Sequence, residues 1–164
     1  MNQKEIIIDQ LKAMGFEPVE LGDVGYVFKY EDMNYLYMPD DDDEQFLRIV
    51  IPHLFELTDE NRVAVLDAMH ETGLMLKYAK VCIMYENAAW AVYEHRLTAT
   101  DNLAELLEHI IRVLEATVHV FYRKISGEEV QGRSGESEVN SDDELEAELQ
   151  KMLDSIEGNE EVTK

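Results

Sequence analysis

KVCIMYENAAWAVYEHRL, residues 80–97, decides the fold of this chain because it predicts a β-hairpin that has no polar side. Two β-prone runs meet near Asn87, a residue type that tolerates positive φ, so a tight turn is expected there. With a two-residue turn, one face would carry Val81, Ile83, Tyr85, Trp90 and Val92, and the other would carry Cys82, Met84, Ala89, Ala91 and Tyr93. An antiparallel hairpin usually keeps one polar face for water. We therefore expect both faces of this hairpin to be covered.

Around the hairpin, helical and strand periodicities alternate and predict an α+β domain with an antiparallel sheet. The predicted helices are 2–14, 58–76 and 98–124. The predicted strands before the hairpin are 25–30, 33–38 and 46–51. Pro52 is expected to end the last of these strands because proline cannot donate to the ladder. The predicted order is α-β-β-β-α-β-β-α over residues 1–125, and the last helix is expected to lie on the sheet.

The sequence changes character after the domain. Residues 126–140 are rich in Gly, Ser and Glu and predict a flexible linker. Residues 141–158 predict an acidic amphipathic helix that begins with a capping box, and 159–164 predict a disordered end. An isolated helix of this length is marginal in water. It is therefore expected to dock on its own domain, to dock on a partner or to stay largely unfolded, and the pattern leaves these three outcomes open.

The formal net charge of −22 excludes some partner classes. Residues 1–125 carry 23 acidic and 11 basic side chains, and residues 126–164 carry 13 and 3. Such a field repels phosphates, so no nucleic acid and no anionic membrane surface is expected to bind. A basic partner suits the charge, although solubility alone also explains it. The N-terminus does not resemble a signal peptide and no stretch reaches membrane-spanning length, so a cytoplasmic location is expected.

Motifs for chemistry are missing from the sequence. The five histidines do not have metal-ligand spacing, and Cys82 has no second cysteine. No phosphate-binding or nucleophile motif is present. The acidic loop Pro39–Glu44, PDDDDE, lacks the spacing of a calcium loop. We predict no catalytic residue, no cofactor and no metal site, and the alternative is a small-molecule or metal-dependent enzyme that uses this acidic loop.

Aromatic side chains on the strands are the main candidates for binding. Aromatic residues on strands usually pack in the core. If the helices cover only one face of the sheet, however, the other face leaves an apolar patch, and a large exposed patch is normally an interface. The candidate partner-binding residues are Tyr35, Tyr37, Trp90 and Tyr93, with Leu145, Leu149, Met152, Leu153 and Ile156 of the predicted tail helix.

Residues 1–125 resemble the YbjN-type proteins, described as candidate bacterial sensory transduction regulators, which share the fold of class I type III secretion chaperones. The likeness is carried by the helix that ends near 71–76, then LKYAKVCI, WAVYEHRL and TATDNLAELLEHIIRVLEA. The resemblance implies a small acidic cytosolic domain, commonly dimeric, that binds extended protein segments or acts as a regulator.

The leading hypothesis is therefore a non-enzymatic protein-binding or regulatory module. It would bind a protein partner or client segment through an apolar sheet face or groove, and form a homodimer through residues 58–76 and the sheet. Besides the enzyme alternative, the acidic composition suggests an antagonist that binds a basic protein through charge.

Overall fold

The computed structural model describes residues 2–127, which form a six-stranded sheet with three helices. The helices are α1 (Gln3–Ala13), α2 (Arg62–Met75) and α3 (Leu103–Ser126). The strands are β1 (Val19–Leu21), β2 (Gly25–Tyr30), β3 (Met33–Tyr37), β4 (Phe46–Glu56), β5 (Ala79–Ile83) and β6 (Ala88–Arg96). The predicted α+β class is confirmed. The predicted linker and tail, beyond Gly127, lie outside the described residues.

The strands lie in the order β1-β2-β3-β4-β6-β5, and each neighbouring pair is antiparallel. Because side chains alternate along a strand, the sheet has two distinct faces. Side chains of α1, α2 and α3 pack against one of them, which we name the helix-covered face. The other, which we name the second face, carries a separate apolar cluster of Leu21, Val27, Leu36, Val50, Ala88, Trp90 and Val92.

One strand was not predicted from the sequence. β1 has only three residues and pairs with β2, with Val19 opposite Val27 and Leu21 opposite Gly25. A three-residue strand is too short for alternation to stand out from the flanking turn residues. The order is therefore α-β-β-β-β-α-β-β-α, with one more strand than predicted.

The expectation that Pro52 ends its strand is wrong, because β4 continues to Glu56. Ile51 pairs with Ala91 and Phe55 pairs with Ala89, so residues 52–54 lie opposite Trp90 alone. This bulge accommodates the missing proline N–H, since bulged residues are left out of the ladder. His53 within the bulge has φ 54°. The bulge thus lets one long strand pair with both ends of the hairpin strand β6.

The start of α2 also differs from the prediction. The helix was predicted to begin at residue 58, but the first helical residue is Arg62 and Asn61 is the capping position. The Thr58 N–H donates to Oδ1 of Asn61 at 2.7 Å, and the Asn61 N–H donates to Oγ1 of Thr58 at 3.3 Å. These two bonds make a closed turn ahead of the helix. The side chains of Thr58 and Asn61 thus close the turn before the helix, and Asn61 makes no side-chain capping bond.

Candidate functional site

The turn of the central hairpin sets which side chains share a face. β5 and β6 are joined by a three-residue 3-10 turn, Tyr85–Asn87, closed by a bond from the Met84 N–H to the Ala88 carbonyl at 3.0 Å. Glu86 and Asn87 have φ of 56° and 58°. A three-residue turn shifts the pairing by one residue relative to a two-residue turn, and such a shift moves each side chain of one strand to the other face.

The predicted grouping of the hairpin side chains is therefore wrong. Cys82 lies opposite Trp90, and Ile83 lies opposite Ala89. The helix-covered face takes Val81, Ile83, Ala89, Ala91 and Tyr93, and the second face takes Cys82, Trp90 and Val92. The prediction had placed Trp90 with Val81, whereas the two side chains lie on opposite sides of the sheet.

Three of the predicted partner-binding residues lie in the core under the helices. Tyr35, Tyr37 and Tyr93 are each at most 4% exposed and belong to the helix-covered cluster. The hydroxyl of Tyr35 donates to the carbonyl of Ile111 on α3 at 3.3 Å. Burial, with smaller contributions from Tyr26 and Asp41, raises the pKa of Tyr37 to about 12. These tyrosines hold the helices on the sheet and offer no free surface to a partner in this structure.

The fourth candidate, Trp90, lies on the second face and is 1% exposed. Its ring makes an edge contact with Tyr85 of the hairpin turn, with centroids 5.5 Å apart. The indole Nε1 is buried and finds no acceptor among residues 2–127. Buried indole N–H groups normally donate a hydrogen bond. The second face is thus closely packed around Trp90 but leaves a polar atom without a described partner.

Charged side chains occupy the part of the second face where β4, β5 and β6 meet. Arg48 Nη2 lies 3.0 Å from Oε1 of Glu94, and Lys80 Nζ lies 2.7 Å from Oε2. Burial alone would raise the pKa of Glu94, but the hydrogen bonds and charges of Lys80 and Arg48 lower it overall. Two positively charged side chains therefore contact one carboxylate, so this group has a net positive charge on a chain that is strongly acidic overall.

Replacing Glu94 with glutamine should reduce the free energy of unfolding near neutral pH by at most about 1 kcal/mol, because these side chains are partly solvated. A carboxylate with a lowered folded pKa stabilises the fold above its unfolded pKa of about 4.3 and loses that effect as the pH falls through the folded value. The wild type and Glu94→Gln should thus converge in urea denaturation as the pH is lowered below about 4.3. The exposed Glu17→Gln should match the wild type throughout, and an undiminished gap for Glu94→Gln at low pH would contradict the charge assignment.

The outer side of α2 carries several exposed apolar side chains, with the exposed Asp67, His70 and Glu71 among them. Val65, Ala68 and Thr72 form the buried stripe of this helix. Val63 is 72% exposed, Leu74 is 74% exposed, and Leu66, Met75 and the following Tyr78 are also exposed. We name these five residues the α2 surface. Monomeric proteins seldom keep so many large apolar side chains together in water, so the α2 surface is a candidate interface.

Sequence reasoning missed the α2 surface as a set of site residues, although it had proposed residues 58–76 for dimerisation. Val63 and Leu66 follow helical spacing and were identified only as apolar positions of the predicted helix, without a division into buried and exposed sides. The helix has apolar or small side chains on two sides, and only one side is needed for packing. That second stripe was the signal available in the sequence.

The acidic loop uses two carboxylates to hold its own backbone. Oδ1 of Asp40 accepts from the N–H groups of Asp42 and Asp43 at 2.9 and 3.2 Å, and Oδ1 of Asp43 accepts from the Gln45 N–H at 3.0 Å. Within residues 2–127, no three His, Cys, Asp or Glu side chains are grouped so that they could hold a metal ion. Residues 2–127 therefore contain no grouped metal ligands that the alternative of a metal-dependent enzyme could use.

The remaining predicted residues cannot be placed in the same way. Residues Leu145, Leu149, Met152, Leu153 and Ile156 lie outside the part of the chain that the structure describes. None of the three described helices is both long enough and apolar enough to cross a membrane.

Comparisons with known proteins bear on the fold. The chain is similar to the crystal structure of YbjN from E. coli, a candidate transcription regulator, with a TM-score of 0.56 and 7% identity over 76% of this chain and 92% of that one. It is also similar to an uncharacterized protein from Methanothermobacter thermautotrophicus, with a TM-score of 0.51 and 15% identity over 76% of this chain and 98% of that one. No family model and no curated protein matches the sequence.

At these identities the comparisons show a shared fold and nothing more. The expected YbjN-like architecture is confirmed at the level of fold. Membership of a sequence family is not shown, and the likeness to secretion chaperones stays a prediction. Neither neighbouring structure is described as an enzyme.

Proposed function

We propose that this chain is a non-enzymatic, cytoplasmic protein-binding module with a regulatory role, and that its α2 surface binds a second copy of the chain. The exposed α2 surface is the observation that carries the proposal. A regulatory role agrees with the description of YbjN, whose fold is similar. The homodimer is the assembly that the sequence resemblance implies.

The distribution of residues along α2 suits pairing with a copy of itself. In an antiparallel pair related by a two-fold axis, each position meets its mirror position on the partner. If the axis passes between residues 68 and 69, Val63 meets the partner's Leu74, and Glu60 meets the partner's Lys77. All four positions are exposed in the single chain. The pairing thus joins apolar side chains toward the two ends of α2 and opposite charges beyond them, while Asp67 faces the partner's His70 nearer the axis.

The exposed edge of the sheet is a less suitable surface for self-association than α2. β5 is an edge strand of five residues, and Lys80 lies within it. A lysine on an exposed edge discourages pairing with unrelated strands. We therefore assign self-association to the α2 surface rather than to the edge of the sheet.

Light scattering after size-exclusion chromatography tests this proposal. The wild type at about 50 µM should have twice the mass of one chain, because a dimer with a Kd of about 1 µM is mostly assembled at that concentration. Leu66→Glu/Leu74→Glu should have the mass of one chain, because two acids in a facing apolar patch lose solvation on burial.

Ile6→Glu/Val19→Glu is the matched control, because Ile6 and Val19 are 38% and 63% exposed and lie away from α2. This variant makes the same change of charge and should stay dimeric. A wild type that is monomeric at this concentration, or a control that dissociates as readily as the α2 variant, would overturn the assignment.

A further inference from the structure

The second face of the sheet is buried although all three described helices lie on the other face. Val50 is 0% exposed, and Leu36 and Trp90 are each 1% exposed. Neighbouring strands shield the flanks of such side chains, but a layer packed about 10 Å above the sheet is normally needed to shield their tips. Residues 2–127 supply strand ends and turn residues around this cluster, and none of their helices.

Two buried polar atoms on this face have no partner among residues 2–127. They are Oδ1 of Asn34, which needs a donor, and Nε1 of Trp90, which needs an acceptor. Asn34 is on the second face because it alternates with Tyr35 and shares the direction of Leu36. Buried polar atoms are almost always hydrogen-bonded, so an unpartnered donor and acceptor on one face indicate a missing polar neighbour.

We propose that the second face is the docking site of the chain's own segment 141–158, which binds it as an amphipathic helix and completes the domain. Its apolar stripe of Leu145, Leu149, Met152, Leu153 and Ile156 would cover the cluster around Val50 and Trp90. This proposal is independent of the function assigned to the α2 surface.

Charge complementarity favours this occupant. The second face carries Arg48, Lys80 and Arg96 around the carboxylate of Glu94, since Arg96 follows Glu94 by two residues on β6. Its other strand carboxylate, Glu56, lies opposite Ala88 at the far end of β6. Segment 141–158 contains seven acidic side chains and one lysine. On a chain of net charge −22, a positive rim beside an apolar cluster suits an acidic amphipathic helix better than it suits a second copy of the acidic domain.

The geometry of the chain also favours this occupant. The hydroxyl of Tyr122, in the last turns of α3, donates to the carbonyl of Leu54 at 2.8 Å. The end of α3 therefore lies beside the β4 bulge, which is opposite Trp90. The 13 residues 128–140 can extend about 45 Å, whereas two packed layers separate α3 from the far side of the sheet by about 20 Å.

The lengths also agree. A helix of 18 residues is about 27 Å long, and the row of apolar side chains formed by Val27, Leu36, Val50 and Val92 on four neighbouring strands is about 15 Å wide. One helix laid across these strands would thus cover the row.

The only cysteine and the only tryptophan of the chain, Cys82 and Trp90, both lie on the second face and report on its cover. In the full chain, Leu149→Asp/Leu153→Asp should release the segment. The reaction of Cys82 with an aromatic disulfide reagent should become about tenfold faster if the segment is docked about nine-tenths of the time. Quenching of Trp90 fluorescence by acrylamide should increase as well. Far-ultraviolet circular dichroism and the melting temperature show whether residues 2–127 stay folded.

Ala147→Asp/Gln150→Asp is the matched control, because it adds the same two charges away from the apolar stripe, and it should leave both signals unchanged. An unchanged Cys82 rate in Leu149→Asp/Leu153→Asp, with the fold intact, would overturn the proposal. Protection of Cys82 that is lost on dilution of the wild type would also overturn it, because the cover would then come from another molecule.

Discussion

Replacing Gly25 with alanine should destabilise the domain by about 3 kcal/mol or more, because backbone strain and a steric clash add at one position. Gly25 has φ 153°, a conformation that side chains rarely adopt. A Cβ built there would lie 2.0 Å from the carbonyl oxygen of Tyr37 and 3.2 Å from Cα of Met38. Both are backbone atoms, so β2 and β3 must move apart. Urea denaturation at neutral pH measures the loss directly.

Gly73 provides the control for this substitution within the same chain. It lies in α2, and a Cβ there would meet nothing within 4 Å. Gly73→Ala should therefore stabilise the domain by about 0.5 to 1 kcal/mol through helix propensity alone. If Gly25→Ala changed the free energy of unfolding as little as Gly73→Ala, that result would contradict the close approach of β2 and β3 at Gly25.

Replacing Trp90 with alanine should destabilise the domain by about 3 to 5 kcal/mol, the range for removing a large aromatic side chain from a packed interior. Trp90 is 1% exposed and lies opposite the three bulged residues 52–54 of β4. Thermal and urea denaturation, followed by circular dichroism because the fluorophore is lost, measure the effect.

Trp90→Phe keeps an aromatic ring in place and should lose less, about 1.5 kcal/mol, because part of the volume remains. A loss below about 1 kcal/mol for Trp90→Ala would be typical of a surface position. That result would contradict the burial of the second face, and with it the need for a layer that covers Trp90.

The sequence was sufficient to predict the class of the fold, because long apolar helices and alternating strands are repeated signals. The sequence could not predict which side chains share a face of the hairpin, because one residue more or less in the turn moves the side chains of one strand to the other face. Glu86 and Asn87 both have positive φ. Asparagine is a residue type that adopts this conformation more readily, whereas glutamate gives no such signal in the sequence. The position of Trp90 was therefore the least predictable feature and also the most informative.

The site could be predicted only in outline. Composition indicated that both faces of the hairpin are apolar, and Val81 and Trp90 are buried on opposite faces, but Lys80 and Glu94 make one end of the second face charged. The tyrosines at 35, 37 and 93 could not be assigned to the core from the sequence, because strands alternate in the same way whichever face the helices cover. The exposure of the α2 surface is a property of three-dimensional packing, in which Val65 rather than Val63 faces the core.

Photocrosslinking from the α2 surface tests the central claim most directly. A benzophenone amino acid placed at Leu74 in the purified full chain should give a covalent species of twice the chain mass, with the attachment near Val63 of the partner. The same group at Val19, which is also well exposed, should give no such species. Equal yields from positions 74 and 19, or no species of double mass from position 74, would contradict the proposal that this surface is a protein interface.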